Sequence, residues 1–197
     1  MMQFTIKAAI QASVEAKTAM LKDAKLLQAI ETVAQACIEV YRRDGKVLFC
    51  GNGGSAADAQ HLAAELSGRF YFDRPPLFAE ALHVNTSFVT AVGNDYGYDA
   101  IYARMVEAAG RPGDLLFAMS TSGNSPNVLL AAEKAKSLGL KVVAMTGQSG
   151  GKLRDMADHL LNAPSSDTPR IQECHMLMGH TICQLVEAAL FTRPRTS

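Results

Sequence analysis

His61 and Glu65 stand four residues apart, a spacing that places both on one face of a helix. An imidazole and a carboxylate so placed can serve as two metal ligands, as a general base with its partner, or as an ordinary surface contact. Arg69 follows at the next turn; it could touch substrate oxygens, and closing the helix end is the better reading. A second polar set, Gln172, His175 and His180, interrupts an apolar run near the carboxyl end. Gln172 and His180 are separated by about 12 Å along a helix, so one ion takes both only from between them or from two subunits. His175 fits neither geometry and reads as a core histidine.

Two loops could hold a substrate beside these groups. Cys50-Gly51-Asn52-Gly53-Gly54-Ser55 leads into a helix starting near Ala56, where free N–H groups would face a ligand. It is neither a dinucleotide fingerprint nor a P-loop, and a tight glycine turn is the plainer alternative. Ser120-Thr121-Ser122-Gly123-Asn124-Ser125 precedes Pro126 and a helix running to about Gly139. Hydroxyls and N–H groups gathered at a helix start can envelop a phosphate monoester without lysine. Capping alone would need only Ser125.

The elements that must position these groups follow from the apolar pattern. Strand-like runs occur at Lys46–Cys50, Ala79–Val84, Asp114–Met119, Val142–Thr146 and His159–Ala163, each followed by a turn signal and a helical pattern. Alternation of this kind predicts a three-layer α/β/α sandwich on a five-stranded parallel sheet. Helical spacing from Thr5 to Arg43, broken at Lys22-Asp23, adds an amino-terminal helical hairpin. Thr168 as a hydroxyl cap, then Pro169, opens a last helix that runs to about Phe191 and is apolar over a wide arc. One domain over 1–197 is expected, with residues 1–44 used in packing and in forming a homo-oligomer.

Composition narrows the partners. Lysine plus arginine equals aspartate plus glutamate, 19 each, and 48% of the 197 residues are hydrophobic. That balance gives no strong field for nucleic acid or an anionic membrane surface, leaving small molecules or proteins as partners. No run approaches the roughly 20 apolar residues of a membrane span, and the start has no leader pattern, so a cytoplasmic location is expected. Cys37, Cys50, Cys174 and Cys183 lack the spacing of a zinc cluster or redox motif and read as buried free thiols.

Taken together, Gly51-Asn52-Gly53-Gly54-Ser55, His61 with Glu65, Gly93-Asn94-Asp95, Ser120 to Ser125, and Arg170-Ile171-Gln172-Glu173 followed by His180 resemble the sugar isomerase (SIS) domain family. They resemble more closely its phosphoheptose isomerases, over nearly the whole chain. The resemblance implies an SIS-type fold and conversion of sedoheptulose 7-phosphate to D-glycero-D-manno-heptose 7-phosphate, a precursor step for lipopolysaccharide or related glycans. It implies substrate contacts from Asn52, Gly53, Gly54, Glu65, Asn94, Asp95 and Gln172, with Ser120, Thr121, Ser122 and Ser125 at the phosphate. It also implies one zinc ion per subunit held by His61, Glu65, Gln172 and His180, proton transfer by Glu65 and His180, and a homotetramer with sites between subunits. Pro169 departs from relatives that carry aspartate there, so that contact is lost or moves to Asp167. Non-catalytic relatives that bind the bacterial replication initiator share the Arg170–Glu173 motif but lack the groups matching Glu65 and His180. A sugar-phosphate-sensing regulator would need a DNA-binding module, and no basic helix of that kind is present.

Overall fold

Leu115–Met119 is buried at every position, as a strand must be when both faces of its sheet are covered. In the computed structural model, which describes residues 1–192, it is the central strand, β3, of the expected five-stranded sheet; the last residues of the expected domain, 193–197, lie outside the described ones. Its companions are β1 (Val47–Gly51), β2 (Ala79–Ala81), β4 (Lys141–Thr146) and β5 (His159–Asn162). All pairings are parallel, in the order β2-β1-β3-β4-β5. β2 ends three residues before its expected limit at Val84, because the chain turns there and the Val84 N–H bonds the Ala81 carbonyl at 3.3 Å.

Period-two alternation divides the apolar residues into two cores. Phe49, Phe117, Met119, Val143 and Met145 face one side, with the Phe49 and Phe117 rings stacked at 4.8 Å. Helices α1 (Met2–Lys22), α2 (Ala24–Arg42), α3 (Gly54–Ser67) and α7 (Thr168–Leu190) cover them. Leu48, Leu116, Ala118, Val142 and Ala144 face the other side, beneath α4 (Thr86–Tyr96), α5 (Ile101–Ala109) and α6 (Pro126–Ser137). The three-layer α/β/α arrangement is therefore as the sequence pattern implies.

From β1 the chain runs through α3 to β2, and from β2 it crosses by α4 and α5 to β3 on the opposite side of β1. The loops leaving β1 and β3 consequently diverge, which opens a crevice at the carboxyl ends of these two neighbours. Both candidate substrate loops flank that crevice.

Asp23 separates the amino-terminal helices by accepting the N–H groups of Lys25 and Leu26 at 3.0 and 3.1 Å. At α7 the boundary expectation needs a correction. The cap position is Asp167, whose side chain makes no cap bond, and Thr168 is already helical. Proline at the second helical position is tolerated because first-turn N–H groups have no intrahelical acceptor. All four cysteines are buried and free; burial pushes the Cys50 and Cys183 thiols up to about 12.

His175 is fully buried, and its Nε2 lies 3.1 Å from the Thr146 carbonyl of β4. It is the core histidine the sequence suggested. Burial outweighs that hydrogen bond and lowers its pKa from 6.5 to about 4. The unfolded chain therefore binds more protons between these values, so stability is full above pH 6.5 and falls as pH drops toward 4, by about 3 kcal/mol. Denaturant unfolding across that range should show the loss in the wild type and a flatter slope in His175→Gln; equal slopes would refute the assignment.

Candidate active site

Two loops flank the crevice, and the faces of two helices meet along a seam that starts at the first of these loops. The first loop follows β1, where Tyr102 holds the Gly51 carbonyl through its hydroxyl. Asn52 then pairs reciprocally with buried Asn127 of α6: each Nδ2 donates to the other's Oδ1, at 2.8 and 2.9 Å. Tyr98 adds a third bond, its hydroxyl donating to Asn52 Oδ1 at 3.1 Å. The Asn52 amide is thus committed to the protein, and its backbone is what remains to face a ligand. At Gly54 a Cβ would overlap the Gln172 amide on α7, so glycine lets that amide lie against the start of α3.

The serine loop follows β3. Ser120 Oγ lies 2.9 Å from Ser125 Oγ and 3.4 Å from Ser122 Oγ, a cluster of hydroxyls at the start of α6. Ser125 occupies the cap position of that helix but makes no side-chain cap bond, so its hydroxyl belongs to the cluster rather than to the helix. Asn124 closes the loop: its N–H bonds Ser122 Oγ, its Nδ2 bonds the Ser122 carbonyl, and its Oδ1 accepts from the Lys152 N–H. Gly123 has φ +68°, and a Cβ there would run into the Gly150 carbonyl. Hydroxyls and a helix start, without an adjacent ion pair, suit a doubly charged, tetrahedral anion.

The third group lies along the seam between α3 and α7. Gly54 meets Gln172, Leu62 meets Gly179, and His61 meets His180, so the two helices run in the same direction. Their contact brings His61 Nε2 to 3.0 Å from Glu65 Oε1 and 3.1 Å from His180 Nε2. Ligand atoms of His61, Glu65 and His180 all lie within 4.8 Å of one another. Two imidazole nitrogens and a carboxylate converging from one side fit a borderline-soft cation such as Zn²⁺, with further positions open. The same distances also suit a base and an acid acting on neighbouring atoms.

Other expected residues sit elsewhere. Gln172 is two turns up α7 from His180, beside the glycine loop. Asn94 and Asp95 are exposed near the end of α4, bonded to each other at 2.8 Å. Arg69 requires a correction: α3 stops at Ser67, the Gly68 N–H bonds the Ala64 carbonyl, and Arg69 is exposed beyond the helix. The arginine that closes α3 is Arg74, which donates to the carbonyls of Glu65, Leu66 and Gly68 at 2.9, 2.8 and 3.2 Å.

Sequence reasoning also missed Asn127, Tyr98, Arg74, Glu187 and Asp58. Asp58 precedes His61 by three residues, and its Oδ2 is buried without a partner. Burial pushes its carboxyl up to about 6, with His61 pulling the other way. Its position one turn before His61 was a usable signal.

The fold is that of a sugar isomerase domain: the matching family model is described as SIS domain, over residues 11–147. The phosphoheptose isomerase of Mycobacterium tuberculosis (strain ATCC 25177 / H37Ra) is 57% identical over 179 residues, 91% of each chain. That of Aneurinibacillus thermoaerophilus is 51% identical over 186 residues, 94% of each. Among solved structures, phosphoheptose isomerase GmhA from Neisseria gonorrhoeae matches with a TM-score of 0.90 at 42% identity, covering 95% of this chain and 100% of that one. A phosphoheptose isomerase from Francisella tularensis gives 0.92 at 39% identity, covering 95% and 99%. The chain belongs to the phosphoheptose isomerases of the SIS domain family, and it is an isomerase. No helix among the described residues is long and apolar enough to cross a membrane.

If the serine cluster is the phosphate cradle, Gly123→Ala should deform it through both strain and the Gly150 contact. Calorimetric titration with a sugar phosphate should then show at least about tenfold weaker binding, while circular dichroism stays that of a folded α/β protein. Unchanged affinity would remove the loop from the site.

Proposed function

We propose that the enzyme converts sedoheptulose 7-phosphate to D-glycero-D-manno-heptose 7-phosphate, in support of heptose-containing glycans such as lipopolysaccharide. The observation that carries this reading is the convergence of Glu65 and His180, with His61, to within 4.8 Å of one another. The phosphate binds at Ser120, Thr121, Ser122 and Ser125. The glycine loop, through the backbone at Asn52, Gly53 and Gly54, and the side chains of Gln172, Asn94 and Asp95 direct the sugar chain.

Ketose and aldose differ by one proton moved between adjacent carbons and one between the two oxygens. Glu65 takes the proton from C1, leaving an enediolate, and returns it to C2. His180 gives a proton to the C2 oxygen and recovers one from the C1 oxygen, so atoms and charge balance. Developing negative charge on the oxygens must be met by fixed donors.

Zinc, one ion per subunit, is the cofactor that the donor set of His61, Glu65 and His180 favours. It would orient the substrate and stabilise oxygen charge without altering proton count. Gln172 completes the set either with the ion drawn along α7 between it and His180 or from a neighbouring copy. A carboxylate bound tightly to a cation is a weaker base, so Glu65 is assigned chiefly to proton transfer.

A cytoplasmic homotetramer fits the same picture, with the chain as one domain whose residues 1–44 serve packing and assembly. Phe4, Ile6, Ile10 and Val14 on α1 and Leu177 and Leu185 on α7 are all exposed in the single chain, and apolar surface of this kind favours burial between copies.

Purified protein incubated with sedoheptulose 7-phosphate should yield the aldose, read by NMR. Glu65→Gln should lose about 10²- to 10⁴-fold in kcat; a variant with full turnover would eliminate the proposed base. Metal analysis should find one zinc per chain in the wild type and a marked loss in His61→Ala, and a metal-free active enzyme would overturn the zinc assignment.

A further inference from the structure

Glu187 is almost wholly buried on α7, seven residues beyond His180 and on the same face. Its Oε1 accepts the Phe70 N–H at 2.9 Å and Arg74 Nε at 3.1 Å, and its Oε2 accepts the Tyr71 N–H at 2.8 Å. Burial alone would raise its pKa; the N–H groups of Tyr71 and Phe70 and the Arg74 guanidinium outweigh that and leave the carboxyl below the usual range. Arg74 in turn spends its remaining donors on main-chain carbonyls, among them that of Glu65 itself at 2.9 Å. The main chain of Phe70, fixed by its bond to Glu187, sets its ring 5.7 Å from the His180 ring.

Two tethers thus run from one carboxylate toward the reacting groups. One passes through Arg74 to the backbone of Glu65. The other passes through Phe70 to the side of His180. Glu65 and His180 sit on different helices, so their separation depends on how the carboxyl-terminal half of α3 is fixed against α7. Packing of Leu62 on Gly179 supplies contact there, but apolar contact sets distance loosely, whereas a carboxylate accepting three N–H groups and a planar guanidinium fix direction as well.

We propose that Glu187 is a positioning residue for the Glu65–His180 pair, acting through Arg74 and Phe70 without touching substrate. The inference rests on the proton-transfer roles proposed above for that pair. Its kinetic signature is a loss in turnover with little change in KM, since the phosphate cradle lies at the start of α6, away from these tethers.

Glu187→Gln keeps an acceptor for one N–H and removes the charge. At a temperature where it is folded by circular dichroism, it should lose about tenfold or more in kcat with KM within about twofold. In a Glu65→Gln background the same change should cost little further, because the base it positions is gone. In substrate-free protein, the nuclear Overhauser contact between the Phe70 and His180 rings should be present in the wild type and lost in Glu187→Gln. Should that variant fail to fold, Phe70→Leu, which leaves the ion pair intact, should still lower kcat and not KM. A folded Glu187→Gln with wild-type kcat, an equal loss in both backgrounds, or an unchanged ring contact would overturn the proposal, as would unaltered kcat in Phe70→Leu. A wild type inactive on sedoheptulose 7-phosphate would refute the substrate reading separately, and the ring contact alone would then decide this inference.

Discussion

The geometry of the site depends on an ion pair withdrawn from water. Arg74 and Glu187 are each about 1% exposed at the side chain, and removing two such charges from solvent costs several kcal/mol per ion. The arrangement is tolerable because almost every donor and acceptor is used. Glu187 takes three N–H groups, and Arg74 satisfies carbonyls at the end of α3 that a helix terminus would otherwise leave open. A hydrophobic pair could fill the same volume, but it could not tie residues 70 and 71 to α7 and the last turn of α3 to both. Its worth lies in direction more than in net stability.

The sheet contributes the second constraint. Because β1 and β3 are neighbours whose crossovers leave on opposite faces, the glycine and serine loops part at the carboxyl ends and leave a crevice between them. Asn52 and Asn127 then lock the two loops together through paired amides. The serine loop, the proposed phosphate cradle, is held by its own backbone, hydroxyl and Asn124 hydrogen bonds. Glu65, the proposed base, lies about three turns along α3 from the glycine loop, and His180 stands near it on α7.

Much of this was legible in the sequence because it is local or periodic. The strands announced themselves as short apolar runs, and His61 with Glu65 as a helical pair. The serine loop was legible as four hydroxyl side chains in six residues, and the structure places Ser120, Ser122 and Ser125 in one cluster. What escaped detection depends on contacts between distant segments. Arg69 occupied the expected place for closing α3, yet Gly68 ended the helix first and Arg74 reached back instead. Glu187 sits in a mainly apolar stretch, Ile182 to Leu190, where only its neighbours' character hinted at a buried partner. Asn127 looked like an ordinary first-turn residue of α6. The family resemblance carried Gln172 into the ligand set, whereas helix geometry separates it from His180 by about 12 Å within one chain.

The most direct test of the account follows the transferred proton. If Glu65 moves it through an enediolate, turnover of sedoheptulose 7-phosphate in D₂O should place deuterium at C2 of the aldose, detected by mass spectrometry and NMR, because a carboxyl proton exchanges with solvent between steps. Product formed over many turnovers without deuterium at C2 would contradict a proton-transfer mechanism and with it the roles given to Glu65 and His180.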